Sequence, residues 1–143
     1  GGVPYLGAYT ATKAAVVALS ESWAGELEEK GIHVSVLCPA FVQTRIHESE
    51  RNRSVQYQPD ELRTSNENSF ANLTKQMVEN GIEVSIVGKR VVEALNDGEF
   101  YIFTHPNYRP IMQERTAAID AAFKKSAQSP LLEHIVNQKI EMP

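Results

Sequence analysis

Tyr9-Thr10-Ala11-Thr12-Lys13 heads an Ala-rich run, and the reading of the chain works outward from it. Residues four apart on a helix share a face, so the phenol of Tyr9 and the ammonium of Lys13 enter the same space. A phenol exchanges protons poorly near neutrality, and a fixed cation beside it favours its ionised form. The pair therefore has the makings of a general acid/base, Tyr9 exchanging the proton and Lys13 supplying the charge. From Tyr9 to Lys30 the period is helical. Val16, Leu19, Trp23 and Leu27 recur at three- and four-residue steps, while Ala11, Ala14, Ala15 and Ala18 make a second face of small residues. Two such faces predict a helix covered on both sides. Glu26, Glu28, Glu29 and Lys30 form a solvated end, and Gly31 is placed to close the helix as a left-handed C′ residue.

Ile32 to Cys38 follows, with β-branched residues at 32, 34 and 36 (Ile, Val, Val) and a continuous apolar end at Leu37-Cys38. That pattern predicts a buried parallel strand. Pro39 ends it, having no N–H for the ladder. Ligands of open α/β sheets gather at the carboxyl ends of strands, which puts Pro39 to Thr44 in position for cofactor contact. His33, inside the strand, is expected to be packed or at an edge. Cys38 is expected to be a small buried hydrophobe rather than a nucleophile.

Taken together, Tyr9-Thr10-Ala11-Thr12-Lys13, the helix, and Gly31 to Thr44 resemble the short-chain dehydrogenase/reductase family. The first stretch matches its Tyr-x-x-x-Lys motif, and Pro39-Ala40-Phe41-Val42-Gln43-Thr44 its Pro-Gly-x-x-x-Thr cofactor loop, with Ala40 where Gly is usual. The resemblance is specific from Gly1 to Thr44 and looser from Val84 to Thr104. It implies an α/β fold, the C-terminal part of a Rossmann-like doubly wound parallel sheet, with a lid segment and C-terminal helices. It further implies NAD or NADP as cofactor, a small-molecule alcohol or carbonyl as substrate, and no metal. Tyr9 and Lys13 become the catalytic pair, and Tyr9, Lys13, Pro39, Ala40, Val42 and Thr44 the cofactor contacts. The corresponding helix in the family also joins a second subunit, which implies a homo-oligomer, dimer or tetramer.

The eight glycines stand at positions 1, 2, 7, 25, 31, 81, 88 and 98, and no three of them make the Gly-x-Gly-x-x-Gly turn that receives a pyrophosphate. The family's glycine loop and catalytic serine lie upstream of its Tyr. Residues 1–143 are therefore expected to be the C-terminal portion of one NAD(P)-binding domain, inactive alone. The alternative is a non-catalytic fragment acting as a dimerisation or binding module, favoured by Ala40 and by the lack of the glycine loop.

A net charge of −4 and a pI near 5.6 argue against a nucleic-acid partner. No apolar run has the length of a membrane span, and the first residues lack the pattern of a secretion signal, so the cytoplasm is the expected compartment. Gly1 to Ala8 reads as a loop, either lining the substrate pocket through Pro4, Tyr5 and Leu6 or simply leading into the helix. Residues 45–80 are long and polar, which predicts a substrate lid or else a disordered insertion. Pro59 to Leu62 could open a short helix there, and Phe70, Leu73, Met77 and Val78 mark an amphipathic one. Further patterns predict a helix over Glu83–Asn96 with Val84, Val87, Val91 and Leu95 on one face, and a strand over Phe100–Phe103. Two tail helices are also predicted, on Met112, Thr116, Ile119 and Phe123, and on Leu132, Ile135, Val136 and Ile140. His105, just past the strand, is expected to be structural or to line the substrate site.

Overall fold

In the computed structural model, residues 6–52, 54, 56 and 65–140 are described. Pro4, Tyr5 and the Pro59–Leu62 helix lie outside them. The chain is α/β: α1 (Gly7–Glu28), β1 (Val36–Cys38), α2 (Ser65–Glu79), α3 (Val84–Asn96), β2 (Tyr101–Phe103) and α4 (Arg109–Ala127), with 3-10 segments at Ile46–Asn52, Pro106–Tyr108 and Pro130–Ile135. Contacts gather into two compact units. One is Lys13–His105, and the other joins the described residues up to Thr12 with those from Pro106 on.

The Lys13–His105 unit is built on a parallel pair, β1 against β2, with Val36 facing Tyr101, Leu37 facing Ile102 and Cys38 facing Phe103. Parallel neighbours need a long crossover, and α2 and α3 supply it. Val36, Val78, Ala94 and Ile102, one from each of these four elements, are the buried hydrophobic residues. The strands are shorter than predicted. Ser35 is outside the ladder but still tied to it, its Oγ donating to Glu99 O at 2.8 Å, and Ile32 to Val34 have no strand partner among the described residues. A strand extends only as far as a neighbour pairs with it, and β2 offers three residues.

The predicted end of α1 at Gly31 holds, and α3 ends the same way at Gly98. Gly31 and Gly98 have φ of +67°, the left-handed value that glycine adopts without steric cost. After α1, Gly31 N–H donates to Glu28 O and Ile32 N–H to Leu27 O. After α3, Gly98 N–H donates to Leu95 O and Glu99 N–H to Ala94 O. Each is a Schellman closure that satisfies carbonyls the helix leaves open. α1 begins at Gly7, so Gly7 and Ala8 are helical rather than loop.

The helix faces differ from expectation. On α1 the inward residues are Val17, Ser20, Ala24 and Leu27, whereas Val16, Leu19 and Trp23 are exposed, Trp23 by 47%. Ser20 tolerates burial because its Oγ donates to Val16 O at 2.8 Å. On α3, Val87, Val91 and Ala94 turn inward, and Val84 and Leu95 outward.

In the other unit α4 carries Pro110 in its first turn, where a missing N–H costs nothing, and Lys124 and Lys125 in its last, where they complement the dipole. No residue of α4 is buried. The predicted last helix is only the 3-10 segment Pro130–Ile135, with Leu131 and Ile140 almost fully exposed. Short helices need a packed face to persist, and this apolar run has none among the described residues.

Candidate functional site

Tyr9 and Lys13 lie one turn apart on the uninterrupted helix α1, both exposed, Tyr9 by 51%. The helix geometry thus puts the two on one face. Thr12, between them, is occupied with the backbone, its Oγ1 donating to Tyr9 O at 2.8 Å. Its hydroxyl therefore braces the first turns of the helix.

The Pro39–Thr44 loop leaves the carboxyl end of β1 and is held on two sides. On one side, Ile82 N–H donates to Phe41 O at 3.1 Å and Gln43 N–H to Ile82 O at 2.9 Å, which makes Val42 and Ile82 a parallel bridge. In such a bridge the central residue turns its own N–H and C=O away from the partner, so Val42 presents both groups to the opposite side. Gln43 Nε2 adds a bond to Glu79 O at 3.3 Å. Close approach is possible because residue 81 is glycine: a Cβ there would lie 2.5 Å from Phe41 O.

On the other side, Ala40 N–H donates to His105 Nδ1 at 3.4 Å. Thr104 Oγ1 lies 2.7 Å from the same nitrogen. Thr44, at the far end of the loop, is exposed, and its Oγ1 accepts Ile46 N–H at 3.4 Å. Pro39 is exposed while Ala40 and Val42 are half-buried. Of the residues expected to form the site, Tyr9 and Lys13 share one helix face, and Pro39, Ala40, Val42 and Thr44 share one braced loop.

Cys38 is half-buried just before this loop, and burial pushes its thiol up from the ordinary range, which suits a packing residue rather than a nucleophile. His33 is exposed. Among the described residues no cluster of His, Cys, Asp or Glu is arranged to hold a metal ion, and no helix is long and apolar enough to cross a membrane. Gly81 and Ile82 were not expected as site residues. The Asn80-Gly81 dipeptide between two helical patterns was the available signal, but its partner in the loop is too far upstream for any local pattern to reveal.

A family model described as short chain dehydrogenase matches residues 1–54. A CLA biosynthesis dehydrogenase/reductase of Lactiplantibacillus plantarum is 33% identical over an alignment of 121 residues that covers 81% of this chain and 42% of that protein. A C alpha-dehydrogenase of Sphingobium sp. (strain NBRC 103272 / SYK-6) is 32% identical over 113 residues, 79% of this chain and 36% of its own length. The chain thus spans less than half the length of these relatives. The crystal structure of a short chain dehydrogenase/reductase from Burkholderia phymatum in complex with NAD matches 99% of this chain and 48% of that one, with a TM-score of 0.78 and 28% identity. The two parallel strands and their helices are accordingly part of a Rossmann-like sheet.

Proposed function

Because the chain belongs to the short-chain dehydrogenase/reductase family, we propose that it is the C-terminal half of an NAD(P)-dependent oxidoreductase that interconverts an alcohol and a carbonyl. The observation that carries this reading is the exposed Tyr9-Lys13 pair on one face of α1. In the reductive direction Tyr9 gives its phenolic proton to the carbonyl oxygen as the carbonyl carbon gains a hydride. In the oxidative direction it takes the hydroxyl proton. Lys13 stabilises the negative charge left on the phenol oxygen, and its ammonium hydrogen-bonds the cofactor ribose.

The loop fits a nicotinamide. Its carboxamide has a carbonyl and an amino group, and Val42 turns a backbone N–H and C=O away from Ile82 as complementary partners, with the Thr44 hydroxyl as a third. Bound there, the dinucleotide supplies or accepts the hydride. Of the 45–80 segment expected as a lid, residues 53, 55 and 57–64 lie outside the described ones; the exposed Val16, Leu19 and Trp23 on α1 supply the contact with a second copy.

The test uses the gene product that carries this chain with the residues encoded upstream of it, assayed on secondary alcohols with NAD+ and NADP+. Tyr9→Phe is expected to lower kcat by about 10²- to 10⁴-fold with dinucleotide affinity nearly unchanged. Lys13→Ala should damage both. Equal, mild losses from the two substitutions would make the pair structural. If no glycine loop is encoded upstream, the chain is instead a binding or dimerisation module.

A further inference from the structure

The Pro39–Thr44 loop has a fastening that neither the acid/base pair nor the bridge to Ile82 explains: the Ala40 amide ends on a histidine side chain at the end of the neighbouring strand. An amide N–H can only donate, so His105 Nδ1 must accept, and the ring's proton is on Nε2. The Thr104 hydroxyl, 2.7 Å from the same Nδ1, must then donate as well. Two donors share one lone pair. That accounts for the unequal lengths, 2.7 Å to the freely rotating hydroxyl and 3.4 Å to the amide fixed by its backbone. Thr104 thereby holds the ring in the orientation and tautomer that can receive Ala40.

We propose that His105, oriented by Thr104, is a positioning residue that fixes the Ala40 end of the loop, as Gly81 and Ile82 fix its Phe41–Gln43 part. Held from both sides, the loop keeps the outward N–H and C=O of Val42 in one place. That last consequence rests on the assignment of the loop to the nicotinamide, whereas the fastening itself does not.

The experiment measures amide hydrogen exchange at Ala40 by NMR in the ¹⁵N-labelled chain, with Gln43, bonded to Ile82 O, as internal reference. His105→Leu keeps bulk and removes the acceptor, while His105→Asn places Oδ1 near the former Nδ1. With one neutral hydrogen bond lost, Ala40 in His105→Leu should exchange about threefold to tenfold faster. In His105→Asn it should stay within about twofold of the parent, with Gln43 steady in both. Equal protection of Ala40 in the Leu and Asn variants overturns the proposal. If His105→Leu does not fold, His105→Ala is compared with His105→Asn on the same criterion. A second arm uses the gene product with its upstream residues: His105→Leu should raise KM for the dinucleotide more than it lowers kcat, and His105→Asn should restore KM. If exchange follows the expected pattern and KM does not move, the fastening stands and the nicotinamide assignment of the loop falls.

Discussion

Gly81 shows what a single hydrogen atom can decide. A methyl there would meet Phe41 O at 2.5 Å and Val42 N at 2.8 Å, both backbone atoms that cannot swing aside. Gly81→Ala is expected to destabilise the chain by about 1–3 kcal/mol and to raise amide exchange at Gln43. Gly88, inside α3 with nothing within 4 Å of its Cβ position, gives the opposite expectation. Gly88→Ala should stabilise by about 0.5–1 kcal/mol, since glycine is costly within a helix. Urea unfolding of the two variants measures both signs. At Tyr101 the phenol donates to the Glu21 carboxylate and ties β2 to α1. That bond, then burial and the charge of Glu21, raises the Tyr101 phenol above its ordinary range. The folded chain therefore keeps this proton after the unfolded chain has lost it. The stabilisation is fully present below about pH 10, the unfolded value, and declines as pH rises towards the folded one. The difference in urea midpoint between the parent and Tyr101→Phe should shrink across that window, and a constant difference would mean that the tie does not titrate. The Tyr9-Lys13 spacing was legible because four residues is a helical repeat. Gly81 and His105 owe their roles to partners brought together only by folding.

Among the elements, boundaries were more legible than faces. Gly31 announced the end of α1, because a left-handed C′ residue is a local requirement. The side of α1 that turns inward was not announced. Leu19 and Trp23 are larger than Ser20 and Ala24, yet the smaller residues are inside. Small residues let a helix come close to its neighbours, and a serine is admitted once its hydroxyl returns to the helix's own carbonyl. Periodicity detects an apolar stripe, but it cannot choose between two of them. The same ambiguity shifted the face of α3 from Val84 and Leu95 to Ala94, whose exposure is 0%. Ala94→Leu should overfill that contact and cost about 1–3 kcal/mol, while Leu95→Ala, beside it but exposed, should stay within about 0.5 kcal/mol. Thermal unfolding of the pair discriminates the observed face from the predicted one, which would reverse the order.

For the whole molecule, the α/β class and the parallel pairing were both legible, since a β-rich run after a long helix, followed by further helices and a second apolar run, leaves little else. The extent of the strands was not, because a ladder is a property of two partners. Titration of the 143-residue chain with NADH and NADPH by calorimetry is expected to give no micromolar binding. No glycine loop is present among these residues to receive the pyrophosphate, and under the proposed function the loop at Pro39–Thr44 would hold only the nicotinamide end. Micromolar affinity would show that the loop and α1 suffice.

β1 is paired along one edge by β2, and among the described residues no strand lies along its other edge. An open edge is a row of unspent donors and acceptors, ready for any extended segment that arrives in register. It is also a seam. Two pieces of polypeptide made separately could be annealed along it, with no peptide bond between them, if one brings the adjoining strand. Without that piece, copies of the chain compete for the same seam, and precipitation competes with reassembly. Pairing with the adjoining strand therefore competes with self-association along the same edge.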